Sequence, residues 1–266
     1  MTPPEDQVRQ LVESLGVAHG FERSIKLRHR SVQADRFLLT VAKNTLGPDA
    51  DARVTALCRS LRISAQFLAE VEKNVGAAEI VHFGFEAETP ERSFYKCYLE
   101  FQKRAGCADA SEPLLLHLAF KWNARDNTEQ VIARYMLHPR LGRESILRRI
   151  APIYAREARR TPWDVACTLL SAASRRTPAE ELMYLEVEED GTNRRSFDLN
   201  LYRARLTISD LDEFVDPLSR HFGIDATVLR TSLKADRAKP LGHIAGGFDR
   251  QERDFLTLYF GVEGRR

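Results

Sequence analysis

Several protein classes are excluded by what this sequence lacks. It has four cysteines in 266 residues. Cys58, Cys97, Cys107 and Cys167 form no CxxC pair and have no histidine at zinc spacing, which points to free thiols in a reducing compartment. No apolar run approaches the roughly 20 residues that a membrane-spanning helix needs. The opening stretch MTPPEDQVRQ is acidic and carries prolines, so it does not read as a signal peptide, and a cytoplasmic location is expected. An excess of one charge is also missing. Lys+Arg number 40 against 38 Asp+Glu, a net charge of +2, too balanced for the basic face of a nucleic-acid partner. No aspartate-rich metal motif occurs. Gly246-Gly247 lacks the helix and Lys-Ser/Thr of a phosphate loop and reads as a bend or bulge. Asp126 and Asp190 read as turn residues, and His117, His138 and His243 as structural, since none has triad partners at a recognisable spacing.

What is present is a real core, with 43% hydrophobic residues, and a recurring pattern. Five times an alternating stretch, a polar turn and a second alternating stretch follow one another. They span Phe21–Ala42, Glu79–Gln102, Leu114–Leu137, Leu182–Ala204 and Leu241–Val262. The turns fall at Arg30–Gln33, Thr89–Arg92, Ala124–Thr128, Asp190-Gly191 and Asp249–Glu252. Helical spacing fills the gaps over Asp49–Val75, Arg143–Arg159, Pro162–Ser174 (with Thr161 as cap), Ser209–Phe222 and Asp225–Lys234, with Glu5–Leu15 ahead of the first hairpin. No linker divides residues 1–266, so one domain is expected. The fold class is α+β: a closed antiparallel barrel of ten strands ringed by helices.

Parity splits each second strand into two faces. Tyr95, Cys97, Leu99 and Phe101 oppose Phe94, Lys96, Tyr98 and Glu100. Likewise Arg36 and Leu38, Ile132, Arg134 and Met136, Asp198, Asn200 and Tyr202, and Phe255, Thr257 and Tyr259 fall opposite the apolar sets. An ordinary sheet with one wet face explains any single strand. Taken together, cations, phenols and bulky apolar groups on one face fit the lumen of a ligand-holding barrel better. Arg and Lys donors with tyrosine hydroxyls suit an oligophosphate. Aromatic faces suit a carbocation, at about 0.5–2 kcal/mol per ring. Glu22, on a face with Ser24 and Lys26, is the candidate general base, its rival role being an ion pair with Lys26 or Arg36. Met183 and Tyr184, entering the fourth hairpin, are candidates to cap a short apolar chain.

Glu22 through Lys26 and Asp35 through Leu39, Lys96-Cys97-Tyr98, Leu116-His117-Leu118, Phe197–Arg203 and Leu258-Tyr259-Phe260 together resemble the hairpins of cyanobactin-type peptide prenyltransferases. These belong to the wider ααββ-barrel (ABBA) prenyltransferases. The resemblance covers nearly the whole chain, though no single motif is long. It implies Glu22 as the catalytic carboxylate and Arg36, Lys96, Tyr98, Arg134, Tyr202 and Tyr259 as diphosphate contacts. It further implies a prenyl diphosphate, most simply dimethylallyl, as co-substrate, magnesium as a helper, and a peptide of ribosomal origin as acceptor. Asn200 and Ile132 stand where some members carry further charge, and the chain is shorter than many members. A prenyltransferase for small aromatic compounds, a non-catalytic barrel for an amphipathic anion and a scaffold for helices are the other readings.

Overall fold

The computed structural model describes residues 2–89, 91–103, 112–127, 129–155, 157 and 160–265. Cys107, Thr128 and residues 156, 158 and 159 of the helix expected to end at Arg159 lie outside the described residues. Alternating apolar and polar residues set each strand on a two-sided surface, and the five hairpins form as expected. The strands are β1 (His19–Arg28), β2 (Ser31–Gln33), β3 (Arg36–Ala42), β4 (Ile80–Thr89), β5 (Arg92–Glu100), β6 (Leu114–Asn123), β7 (Gln130–His138), β8 (Met183–Glu189), β9 (Arg195–Asn200), β10 (Leu241–Phe248) and β11 (Asp254–Arg265). Each of β3 to β11 pairs antiparallel with the next, β1 pairs with β3, and β11 returns to β1, with Ser24 opposite Tyr259 and Lys26 opposite Thr257. The short β2 and β3 are two pieces of one hairpin arm, so the eleven segments close a ten-stranded antiparallel barrel.

Closure gives the sheet an inside and an outside, and here the outside is the oily one. Phe37, Leu39 and Val41 on β3, Phe83 on β4 and Leu99 on β5 pack under α1 (Pro4–Glu13), α2 (Ala50–Ser60) and α3 (Ala65–Val75) in one buried cluster. Leu199 on β9 and Leu256, Leu258 and Phe260 on β11 pack in a second cluster, under α4 (Arg143–Ile150), α5 (Thr161–Ser174), α6 (Val215–Phe222) and α7 (Ala226–Lys234). Full burial of such a side chain contributes about 1.5–3 kcal/mol. None of these helices is long and apolar enough to cross a membrane.

Local chemistry sets the helix ends. The Ser64 hydroxyl accepts from Phe67 N at 3.2 Å, and Asp225 accepts from Thr227 N at 2.6 Å. The segment expected to begin at Ser209 starts one residue earlier, as a 3₁₀ turn over Ile208–Phe214. Thr207 and Asp210 close a capping box on it, and α6 then ends at a left-handed Gly223. Thr161 is not a cap: α5 starts on Thr161 itself, with Arg160 in the cap position and no side-chain bond to the helix.

Gly246-Gly247 is not a bulge. The pairing of β10 with β9 runs without a shift through both residues, and the irregularity of β10 lies between Leu241 and His243. Gly247 is required for a different reason. Its φ is +130°, and a Cβ there would lie 2.2 Å from the Arg195 carbonyl oxygen. Gly247→Ala is expected to lower unfolding free energy by about 3 kcal/mol in urea titration, combining backbone strain and overpacking.

Candidate active site

Because strand side chains alternate, every other residue of the barrel wall points into the lumen, and the lumen has two ends of different chemistry. At one end β1, β3, β4, β5 and β6 bring Lys26, Arg36, Glu86, Lys96 and Lys121 together around a cavity of about 90 Å³. Glu86 is 2% exposed and sits among the cations, 2.5 Å from Arg36 and 2.8 Å from Lys121, with Lys96 in a still shorter contact. Burial alone would raise the Glu86 carboxyl, but Arg36, Lys121 and Lys96 outweigh it and hold the group well below the carboxylate range. Lys26 lies 4.2 Å over the Phe255 ring and Lys121 4.1 Å over Phe94. Burial, then the neighbouring Arg36, push the Lys96 ammonium down to about 7, and burial and Arg28 lower Lys26 as well. Lys96 is thus an amine near neutrality that an arriving anion would protonate.

At the other end Glu22, Tyr202, His243, Asp198 and the His82–Glu100–His117 group surround a chamber of about 290 Å³ with apolar walls that include Leu38, Leu116 and Leu185. Glu22 makes no ion pair with Lys26 or Arg36. It accepts a short hydrogen bond from the Tyr202 hydroxyl, while Arg36 turns to Glu86 and donates from Nε to Ser24 Oγ at 3.3 Å. Tyr202 can reach Glu22 because position 242 is glycine: a Cβ on Gly242 would lie 2.2 Å from the Tyr202 ring. Burial raises the Glu22 carboxyl, and His243 and the Tyr202 bond hold part of that rise back. His243 donates toward Asp198 at 2.9 Å. Burial opposes its charge, yet Asp198 and then Glu22 push it up to about 9, an imidazolium in the chamber wall.

Between the two ends stand Tyr98, Tyr135 and Tyr259, which line both cavities. Tyr98 meets Tyr135 edge-on at 5.7 Å between ring centres, and His243 lies 5.6 Å from Tyr259. Burial drives all three phenols upward, so they stand as neutral hydroxyls between a cationic pocket and an aromatic chamber.

Arg36, Lys96, Tyr98 and Tyr259 therefore share one lumen with Glu22, and Tyr202 joins Glu22 instead of the cationic end. Two further expectations are corrected. Arg134 points outward from β7, 41% exposed, and pairs with Asp190; the lumen side of β7 is Val131, Ala133 and Tyr135, so Ile132 and Met136 also face away. Tyr184 is buried under the helices with Leu199, because it neighbours Met183 on one strand and must take the opposite face; Met183 alone lines the chamber. Reading the second arm of each hairpin by parity missed Glu86, His82 and Lys121 on first arms, and His117 and His243 are chamber residues. Parity applied to the first arms would have found all five.

No protein-family model matches the sequence, and no curated protein does. Solved structures with the same fold do. The 5-dimethylallyl tryptophan synthase of Streptomyces coelicolor in complex with DMASPP and Trp superimposes at a TM-score of 0.59, with 15% identity over 91% of this chain and 78% of that one. The 6-dimethylallyltryptophan synthase of Micromonospora olivasterospora gives 0.56, with 16% identity over 91% and 81%. Prenyltransferase PriB, with L-tryptophan and dimethylallyl thiolodiphosphate, gives 0.56, with 12% identity over 92% and 79%. The chain has the ααββ prenyltransferase barrel fold. The expected ABBA barrel is borne out, whereas none of these three neighbours is named as a cyanobactin-type enzyme: two are named for tryptophan and the third holds L-tryptophan.

The Asp198–His243 pair gives a direct measurement. In the NMR titration of histidine Cε1 protons, one histidine is expected to titrate near pH 9. In Asp198→Asn that resonance should move down by a unit or more. The stability the pair contributes is present below the ordinary histidine range near 6.5 and lost as pH rises through about 9, because the folded-state value is the higher.

Proposed function

We propose that this protein transfers a prenyl group, most simply dimethylallyl, from its diphosphate to an aromatic acceptor. The observation that carries this reading is the order of groups along one closed lumen: cations, then three neutral tyrosines, then a carboxylate at an apolar chamber. Each segment matches a requirement of ionising an allylic diphosphate. Lys26, Arg36, Lys96 and Lys121 would hold the diphosphate and take up the charge that grows as its C–O bond breaks with both electrons. The tyrosine faces would bound the allyl cation and exclude water. The acceptor ring would attack from the chamber, forming the new carbon bond, and Glu22 would receive the ring proton as the ring recovers its aromaticity. Tyr202 holds Glu22 in position, and Met183 at the chamber edge would meet the prenyl tail or the acceptor. Proteins sharing this fold that are named for dimethylallyl transfer to tryptophan support the reading by analogy.

Among the described residues of the cationic end, magnesium finds no ready cage. Glu86 is taken by Arg36, Lys96 and Lys121, Glu88 by Arg28 and Arg92, Asp249 by Arg253, and Glu189 by Arg250, so the carboxylates lining the cationic end are already paired. The side-chain cations themselves would supply the neutralising charge. A peptide acceptor is the second reading. Its support is an apolar rim: Met183 and Val262, 39% and 51% exposed, border the chamber and would suit the flanks of a larger substrate.

Three measurements test the proposal. Dimethylallyl thiolodiphosphate, which does not ionise, should raise the melting temperature equally in EDTA and in magnesium, by a shift equivalent to about 2.7 kcal/mol at a hundredfold excess over Kd. Lys96→Ala should abolish most of it. Since Lys96 sits near 7 when free and an anion raises it, binding takes up a proton: affinity should be full below about pH 7 and fall as pH rises above it. Lys96→Arg should flatten that slope. Glu22→Gln, tested with tryptophan as acceptor, should keep diphosphate binding and lose about 10²–10⁴ in kcat. No stabilisation by dimethylallyl, geranyl or farnesyl analogues would remove the prenyltransferase reading altogether.

A further inference from the structure

Three strands put a second set of donors in the same chamber as Glu22. His82 on β4, Glu100 on β5 and His117 on β6 offer one ligand atom each, all within 4.8 Å of one another. Glu100 stands directly opposite His117 in the β5–β6 ladder, and His82 opposite Tyr98, so neighbouring backbones fix the three side chains at one level of the lumen. His82 Nε2 lies 2.8 Å from Glu100 Oε2, and the His82 and His117 rings are 5.8 Å apart. Their far sides are braced. The Thr40 hydroxyl bonds His82 Nδ1 at 2.9 Å, which leaves Nε2 for the group, and Gln102 donates to Glu100 Oε1 at 3.0 Å. His117 is braced by no partner on its Nδ1, which is buried without a hydrogen bond.

We propose that His82, Glu100 and His117 bind a divalent transition cation of the zinc class. Two imidazoles and one carboxylate are the ligand set such ions prefer, where magnesium or calcium would call for oxygen alone. Outer hydrogen bonds that fix an imidazole's ring and tautomer, as Thr40 does for His82, are a regular part of such sites. The His117 ring, with one nitrogen buried and unpartnered, has donor capacity that no protein group uses. Three protein ligands leave coordination positions free, and these open on the chamber, where an oxygen or nitrogen of a bound organic molecule would complete the sphere. The site does not depend on the prenyl-transfer reading, since it uses neither Glu22 nor the cationic pocket.

The test uses the full chain without an affinity tag, stripped with chelator and dialysed. Titration with Co²⁺ should give the visible absorption of a low-coordinate site, saturating at one equivalent, and Zn²⁺ should displace it. His82→Ala, Glu100→Gln and His117→Ala should each weaken Zn²⁺ binding by tenfold or more in calorimetry. Thr40→Val, which keeps shape and removes only the brace, should weaken it about tenfold. Glu22→Gln and His138→Ala should leave it intact, the latter because His138 pairs with Glu186 on the outer side of the barrel. If His117→Ala fails to fold, Thr40→Val and the wild-type cobalt spectrum decide. Absence of a stoichiometric cobalt spectrum, undiminished affinity in Thr40→Val together with His117→Ala, or an equal loss in His138→Ala would each overturn the site.

Discussion

A barrel whose lumen holds Lys26, Arg36, Lys96 and Lys121 cannot close unless something offsets their mutual repulsion, and Glu86 is that group. Removing a charge from water costs several kcal/mol even after relaxation, and unpaired like charges at this spacing would add to it. One carboxylate shared by three cations is a partial answer. Glu86 fixes where the cations stand but leaves a net positive pocket, with the Lys96 ammonium brought down to about 7 and that of Lys26 lowered by burial and Arg28. A fully neutralised pocket would have no reason to bind an anion, and a pocket without Glu86 would have trouble folding. The arrangement is stable enough to persist and unbalanced enough to attract a ligand.

The same constraint explains why the molecule is built inside out relative to small barrels whose interior is the core. The apolar burial that sustains folding has to come mainly from the outer face, between strands and helices, because the lumen is given over to charged and phenolic groups around open cavities. Trp122 and Phe83 in one cluster and Phe197 and Phe260 in the other, all fully buried, are the weight on that side. Division of labour between two faces of one sheet is possible only because alternation is strict, and that strictness is also what makes the fold readable from residues alone.

Where alternation met a uniform helix layer, the reading of the sequence matched the structure. On β5 and β11 the outward residues are Cys97, Leu99, Leu256 and Leu258, all buried under helices, and the inward ones Lys96, Tyr98, Thr257 and Tyr259 follow by elimination. On β7 the rule of apolar-out failed for a physical reason. Its outer face lies at the seam between the two clusters, neither of which counts a β7 residue in its buried core, so Arg134 can sit there in water while Ala133 and Tyr135 turn inward. Polarity marks the lumen only where the other face is covered. Which strands lie beside which is another matter: the meeting of His243 with Asp198, or of Tyr202 with Glu22 across 180 residues, depends on closure and on a glycine at 242. Nothing in the local pattern of Glu22 announces Tyr202.

The separation of the two ends follows from the positions of a few small or neutral groups. Glu22 and Lys26 share a face of β1 with Ser24 between them, close enough that a slight change of wall would make them an ion pair and remove both from use. Arg36 instead spends its charge on Glu86 and its Nε on Ser24, and Glu22 is taken by a neutral phenol. Tyr98, Tyr135 and Tyr259 extend the same insulation across the lumen, since phenols raised by burial cannot carry a charge from one end to the other. A carboxylate that is to take a proton must not be neutralised by a lysine, and a lysine that is to hold an anion must not be spent on a carboxylate. Neutral hydroxyls at the waist are what allow one lumen to keep both.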